Sequence, residues 1–261
     1  MSRALIVLRA MSRARIAACL FTALLLLGGT TAWAGNFFRQ LRIDSLMSAG
    51  VDMYHRGSYV DSLGKFDAVI AMVPDNAQAH YDRALDLYGL GKFVDAAREF
   101  QICLRQQPDL VAALFNLGVT EIALNDLGEA KKIFTRILSD HNTSMRAHFD
   151  LGLVDYFAGR PDEAAKNFAL ATLLHPQYVQ AHYDLALAEY RTGNLVAADK
   201  EAGEALKLSA QYAKAYFLRG AIRLRQGDNN EAKQQFKRAA VWASDPVLKS
   251  LCNQIIAQIG A

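Results

Sequence analysis

From Ile43 to Pro246, small, apolar and polar positions recur every 34 residues, six periods without an insertion or deletion. The eighth place of the period holds Gly50, Ala84, Gly118, Gly152, Ala186 and Gly220, and the twentieth holds Ser62, Ala96, Ala130, Ala164, Ala198 and Ala232. The twenty-fourth holds Phe66, Phe100, Phe134, Phe168, Ala202 and Phe236. Apolar residues spaced three and four apart on either side of the fifteenth place predict two amphipathic helices per period. Small residues at the eighth and twentieth places let those helices approach closely. The phenylalanine lies one turn beyond the twentieth place on the same face and fills the space between neighbours.

The breaks between helices are equally regular. Gly57, Gly91, Asn125, Gly159, Gly193 and Gly227 occupy the fifteenth place, where a left-handed residue closes the first helix. Ser58, Asp126, Asn194 and Asp228 follow as N-caps of the second helix, with Asp61, Glu129 and Glu231 three residues on as capping-box partners. Pro161 suits a first helical turn, and Pro74, Pro108 and Pro176 mark the break before the next period. Ala202, beside Gly203, replaces a core phenylalanine, so the fifth period is expected to be the loosest.

With these residues in place the chain resembles the tetratricopeptide repeat (TPR) family over residues 43–246. The resemblance implies an all-α fold, an α-solenoid of about six tandem TPR helix-turn-helix repeats (43–76, 77–110, 111–144, 145–178, 179–212 and 213–246) forming a superhelix. Residues 35–42 read as an N-terminal extension of the first helix. Residues 247–261 read as a C-terminal capping helix with Lys249 and Asn253 turned outward.

In the family, the fifth, sixth, ninth, twelfth and thirteenth places line the concave groove of the superhelix. Carried onto this chain, that implies a peptide-binding groove of Tyr81, Phe115, Phe149, Tyr183 and Phe217 at the fifth place and Tyr156 and Tyr190 at the twelfth. Asp82, Asn116, Asp150 and Asp184 are its polar rungs at the sixth place. The aromatic rings are open to a second reading, packing between repeats. Family members that clamp a chaperone's C-terminal carboxylates need lysine at the fifth place and asparagine at the ninth; the aromatic and aliphatic residues here disfavour that subclass.

Residues 1–34 change the picture of where the protein works. Arg3, Arg9, Arg13 and Arg15 precede an apolar run, Ile16–Leu27, and the small residues end at Ala32-Trp33-Ala34. This reads as a secretory signal cleaved before Gly35, placing the protein outside the cytosol, in a bacterial periplasm. An uncleaved inner-membrane anchor is the alternative. Met-Ser-Arg-Ala at residue 1 recurs at Met11, a second candidate start.

Without the four signal arginines the chain has 25 basic and 26 acidic residues, a net charge of −1, and no general affinity for nucleic acid is expected. The charge is uneven: Ile43–Leu110 holds six basic and ten acidic residues, Lys207–Arg238 eight and two. Cys103 and Cys252 are expected to be lone buried thiols.

Candidate chemistry is sparse. His80, His148 and His182 share the fourth place, but no cysteine or carboxylate completes a metal-ligand set. Glu121, Asp155 and Glu189 form a row answered by Arg223, read as a partly solvated charge ladder. No catalytic residue, metal or cofactor is expected. The implied role is an exported, non-enzymatic adaptor or scaffold binding a peptide or helical segment of a protein partner, with membrane contact only through an uncleaved signal. The rival is a homo-oligomer, a self-assembling structural protein in which Phe37 and Phe38 of one copy enter the groove of the next.

Overall fold

The structure is a computed structural model and describes residues 31–259. The signal segment up to Thr30 and the second start at Met11 lie outside the described residues. Among the described residues there are thirteen helices and no strand. Contacts divide the chain after Leu90 into two compact units.

The first unit contains α1 (Thr31–His55), α2 (Tyr59–Met72) and α3 (Ala77–Gly89). Residues 35–42 lie in α1, continuous with the first helix of the first repeat. The second unit contains α4 (Phe93–Gln106), α5 (Val111–Ala123), α6 (Leu127–Asp140), α7 (Met145–Phe157), α8 (Pro161–Leu174), α9 (Val179–Thr192), α10 (Leu195–Leu208), α11 (Ala213–Arg225), α12 (Asn229–Trp242) and α13 (Pro246–Ile259). Within each unit every helix packs on the next in sequence, the pairing of a TPR solenoid.

The repeat's small residues do what their spacing implies. A methyl group at Gly50, Gly118 or Gly152 would stand 2.6–2.7 Å from the ring of Phe66, Phe134 or Phe168. Those rings are at most 1% exposed, and burial of each stabilises the fold by roughly 1.5–3 kcal/mol. Ser62, where other repeats have alanine, spends its hydroxyl on the Gly50 carbonyl at 2.8 Å. In the fifth repeat Ala202 is fully buried with Ala186, Ala198, Leu218 and Ile222, a cluster of small side chains with no aromatic ring among its buried members.

The helix ends follow the sequence in part. Asn125 and the five glycines of the fifteenth place all have positive φ, from 61° to 91°, the left-handed turn for which Gly and Asn are suited. Asp126, Asn194 and Asp228 each accept from the N–H three residues on, at 2.9–3.4 Å. The capping boxes do not close. The N–H groups of Ser58, Asp126 and Asp228, which the box acid would need, already donate to the carbonyls of Met53, Glu121 and Arg223 at 2.8–3.0 Å, a consequence of the left-handed turn. Glu129 turns instead to Lys132, at 2.8 Å. Ser58 makes no side-chain cap.

The terminal helix α13 buries Cys252 and packs Leu248, Ile255, Ile256 and Ile259 on the cluster around Phe236. Its Lys249 and Asn253 are exposed, but so are Val247 (72%) and Leu251 (41%), so the outer face is less polar than the sequence reading expects. Cys103 and Cys252 are both buried. No described helix is long and apolar enough to cross a membrane.

Candidate peptide-binding surface

Within each unit the first helices of the repeats carry the candidate residues. In the first unit, Asp82 projects from α3 into a cleft of about 160 Å³ lined by Val51, Tyr54, His55, Phe66 and Leu85. One carboxylate oxygen accepts from Gln78 at 3.0 Å. The other is buried with no hydrogen-bond partner among the described residues, and burial raises the pKa. Tyr81 is half-buried beside it. Behind this cleft Asp86 is wholly buried, neither oxygen having a partner among the described residues. Burial pushes its pKa up to about 6; the Ser62 hydroxyl nearby favours the charged form, and Asp82 opposes it.

In the second unit the fifth-place rings divide. Phe115 (8% exposed) and Phe149 (6%) are core residues: their ring centres lie 6.1 Å from Phe134 and 5.6 Å from Phe168. Phe217 is half-buried, 5.3 Å from Phe236. For these three, packing between helices is the dominant role. Tyr183 is half-buried, 5.4 Å from Tyr212, and lines an open cleft of about 260 Å³ with Leu153, Tyr156, Phe157, Phe168, Gln180, Asp184, Leu187 and Lys214. That volume lies below the roughly 300–1,000 Å³ of small-molecule sites, and suits one or two inserted side chains.

The polar rungs in this unit are unequal. Asn116 is half-buried in α5. Asp150 has a buried oxygen without a hydrogen-bond partner among the described residues, Arg146 Nε standing 3.6 Å away; burial outweighs this neighbour and moves the pKa to about 6. Asp184, in the wall of the cleft, likewise has a buried, unpartnered Oδ2. Burial pushes it to about 7, against the charge-favouring influence of Gln180 and Lys214. Burial also raises the Tyr183 phenol and moves Tyr212 up to about 12. Both phenols are therefore hydrogen-bond donors at neutral pH.

Several residues of this surface are absent from the groove as read from the sequence. Phe157, at the thirteenth place, is 58% exposed in the cleft. Arg191 and Arg225, at the same place one and two repeats on, lie over the rings of Tyr156 and Tyr190 at 4.8 and 4.9 Å. Arg146 lies over Phe115 at 4.8 Å. The thirteenth place is the signal that would have found the first three.

Other candidates resolve into structure. His80, His148 and His182 bond through Nε2 to the carbonyls of Pro74, Asn142 and Pro176 at 2.8–3.1 Å, fastening each first helix to the turn before it. Among the described residues no cluster of three His, Cys, Asp or Glu side chains is arranged to hold a metal. Two of the three members of the charge ladder are not partly solvated: Glu121 and Asp155 are 6% and 2% exposed, whereas Glu189 is half-buried. Asp155 is fully engaged by Lys131 and Arg160 at 2.8 Å and Asn167 at 3.1 Å. Arg223 does not answer the row but joins Arg219 on Asp199, at 2.7 and 2.8 Å. Burial opposes the charged form of Asp199, but the two guanidiniums prevail and its pKa falls below the usual value.

Comparison with known proteins agrees with this architecture. No curated protein sequence matches the chain. Among solved structures, the crystal structure of MamA matches with a TM-score of 0.59 at 22% identity, covering 65% of this chain and 93% of MamA. Pseudomonas aeruginosa pilF matches at 0.68 and 17%, covering 83% and 98%. YrrB, described as a TPR protein with an unusual peptide-binding site, matches at 0.58 and 17%, covering 72% and 97%. At these identities the likeness is one of fold. Profiles of the tetratricopeptide repeat match residues 81–144, 149–206 and 213–245, more than half the sequence, and the chain belongs to the tetratricopeptide-repeat family.

Proposed function

We propose that this protein is an exported, non-enzymatic adaptor that binds a peptide or helical segment of a partner protein on its inner face, in the service of envelope assembly or secretion. The cleft beside Phe157 supports this best: an exposed aromatic ring stands with Tyr156 and Tyr183 around a buried carboxyl, Asp184, that has an unpartnered oxygen. Burying an unpaired polar atom is costly in the free protein. A backbone or side-chain N–H of a bound segment supplies the missing donor, while an apolar side chain covers the rings. Burial of two or three rings contributes several kcal/mol, at roughly 1.5–3 kcal/mol each before the cost of association. The YrrB structure, with its peptide-binding site, shows one use of this fold, and repeat proteins of this family generally act as scaffolds.

Export rests on the basic, then apolar, then small-residue order of residues 1–34. N-terminal sequencing of protein recovered from the envelope is expected to begin at Gly35; cytosolic protein that keeps Met1 or Met11 contradicts export. For the binding reading, a photo-crosslinking amino acid at position 157 should give a discrete protein adduct in native envelopes. The same probe at Leu173, 74% exposed on α8, should give none. Equal labelling from both positions contradicts an inner-face site.

A further inference from the structure

The cations of the second unit's inner face are held in a particular way. The guanidinium of Arg191 lies over Tyr156, that of Arg225 over Tyr190 and that of Arg146 over Phe115, each 4.8–4.9 Å from the ring centre. Stacking of this kind fixes the plane of the guanidinium and leaves its edge donors pointing away from the ring. Arg225 spends one such donor on the Tyr190 carbonyl at 2.9 Å. Arg191, Arg225 and Lys214 are exposed. None of the three has a carboxylate within ion-pair distance among the described residues, whereas Arg219 and Arg223 are both committed to Asp199.

Carboxylates on the same face do little to offset these charges. Arg146 stands beside Asp150 and balances it. Asp184 is buried, and burial pushes its pKa to about 7, so it carries only part of a negative charge at neutral pH. Of the three exposed cations, Lys214 lines the cleft walled by Tyr156, Phe157 and Tyr183, Arg191 lies over one of those wall rings, Tyr156, and Arg225 lies over Tyr190 one repeat on.

We propose that this face is built for an acidic segment of a partner protein, whose Asp and Glu side chains pair with Arg191, Arg225 and Lys214 while an apolar residue between them enters the cleft beside Phe157. The proposal rests on the inner-face reading above and adds the chemistry of the partner. A stacked arginine binds a carboxylate through two parallel N–H donors, with little side-chain freedom left to lose. Acidic residues flanking an apolar one meet both requirements at once.

Selection from a displayed library of random 12-residue peptides on the immobilised mature chain tests it, followed by fluorescence anisotropy on the recovered sequences. Recovered peptides should be net negative with at least one large apolar residue. Arg191→Gln with Arg225→Gln should weaken them at least tenfold with unchanged circular dichroism, and raised salt should weaken them further. Neutral or basic winners, or acidic winners indifferent to the arginine pair, overturn the acidic partner. They leave the inner face standing if Phe157→Lys abolishes their binding. A library that yields no enriched peptide overturns both readings. Displacement of the acidic peptides by a 20-nucleotide oligothymidylate at equal concentration would mark a site for polyanions in general and overturn the proposal.

Discussion

A methyl group placed on Gly152 would stand 2.6 Å from Cε1 of Phe168, a ring 1% exposed. The contact joins the eighth and twenty-fourth places of one repeat, and the same pairing recurs at Gly50 and Phe66, Gly118 and Phe134, and Gly220 and Phe236. In these four repeats the closeness of the two helices is therefore set by the absence of a side chain.

Gly152→Ala is expected to destabilise the second unit by about 1–3 kcal/mol, because the added methyl forces the buried Phe168 ring out of its packed position. Gly203→Ala is the contrasting case. It lies within α10 with nothing within 4 Å of an added methyl, and is expected to stabilise by roughly 0.5–1 kcal/mol. Urea denaturation of both variants checks the pair; equal and opposite shifts in the wrong sense would contradict the packing.

Much of this was legible in the sequence, because a residue repeated six times at one spacing reports a contact made six times. The left-handed turn at the fifteenth place belongs to that class, and glycine opposite phenylalanine, made in four of the six repeats, is read in the same way. Relations between side chains whose roles change from repeat to repeat did not show. Phe115 and Phe149 share the fifth place with Tyr183, yet their rings are buried whereas Tyr183 borders a cleft. The stacking of Arg191 on Tyr156 joins different repeats at two different places, and periodicity within one repeat carries no trace of it. The failed capping boxes have a third cause: the backbone N–H they needed was already taken by the turn.

The pH dependence of stability follows from the buried carboxyls. Burial raises Asp184 to about 7 and Asp150 to about 6 from ordinary values near 3.8. Between those limits the folded state binds more protons than the unfolded one, so their contribution is greatest below about pH 4 and is lost as pH rises toward 7. Asp184→Asn should therefore be nearly neutral at pH 4.5 and stabilising at pH 8, by roughly 1–3 kcal/mol. Urea midpoints across that range provide the check, and a variant less stable at pH 8 than at pH 4.5 relative to the parent contradicts the assignment.

Hydrogen exchange should be faster in α10 than in α8. The buried cluster about Ala202 has no ring to match Phe168, and Gly203 lowers helix propensity by about 1 kcal/mol relative to alanine. Equal protection of Leu195–Leu208 and Pro161–Leu174 would contradict the view that the fifth repeat is the loosest.

The central claim, a peptide site on the inner face beside Phe157, is tested most directly by comparing Phe157→Lys with Phe149→Lys for fold and for capture of the crosslinked partner. Phe157 is 58% exposed, so a lysine there keeps its charge in water and the helix content should not change. Phe149 is 6% exposed between Phe168 and Tyr178, where a lysine buries its charge and should unfold its repeats at a cost of several kcal/mol. The account predicts that Phe157→Lys has a native circular dichroism spectrum and at least tenfold weaker binding. A folded Phe157→Lys protein that binds its partner as tightly as the parent would contradict it.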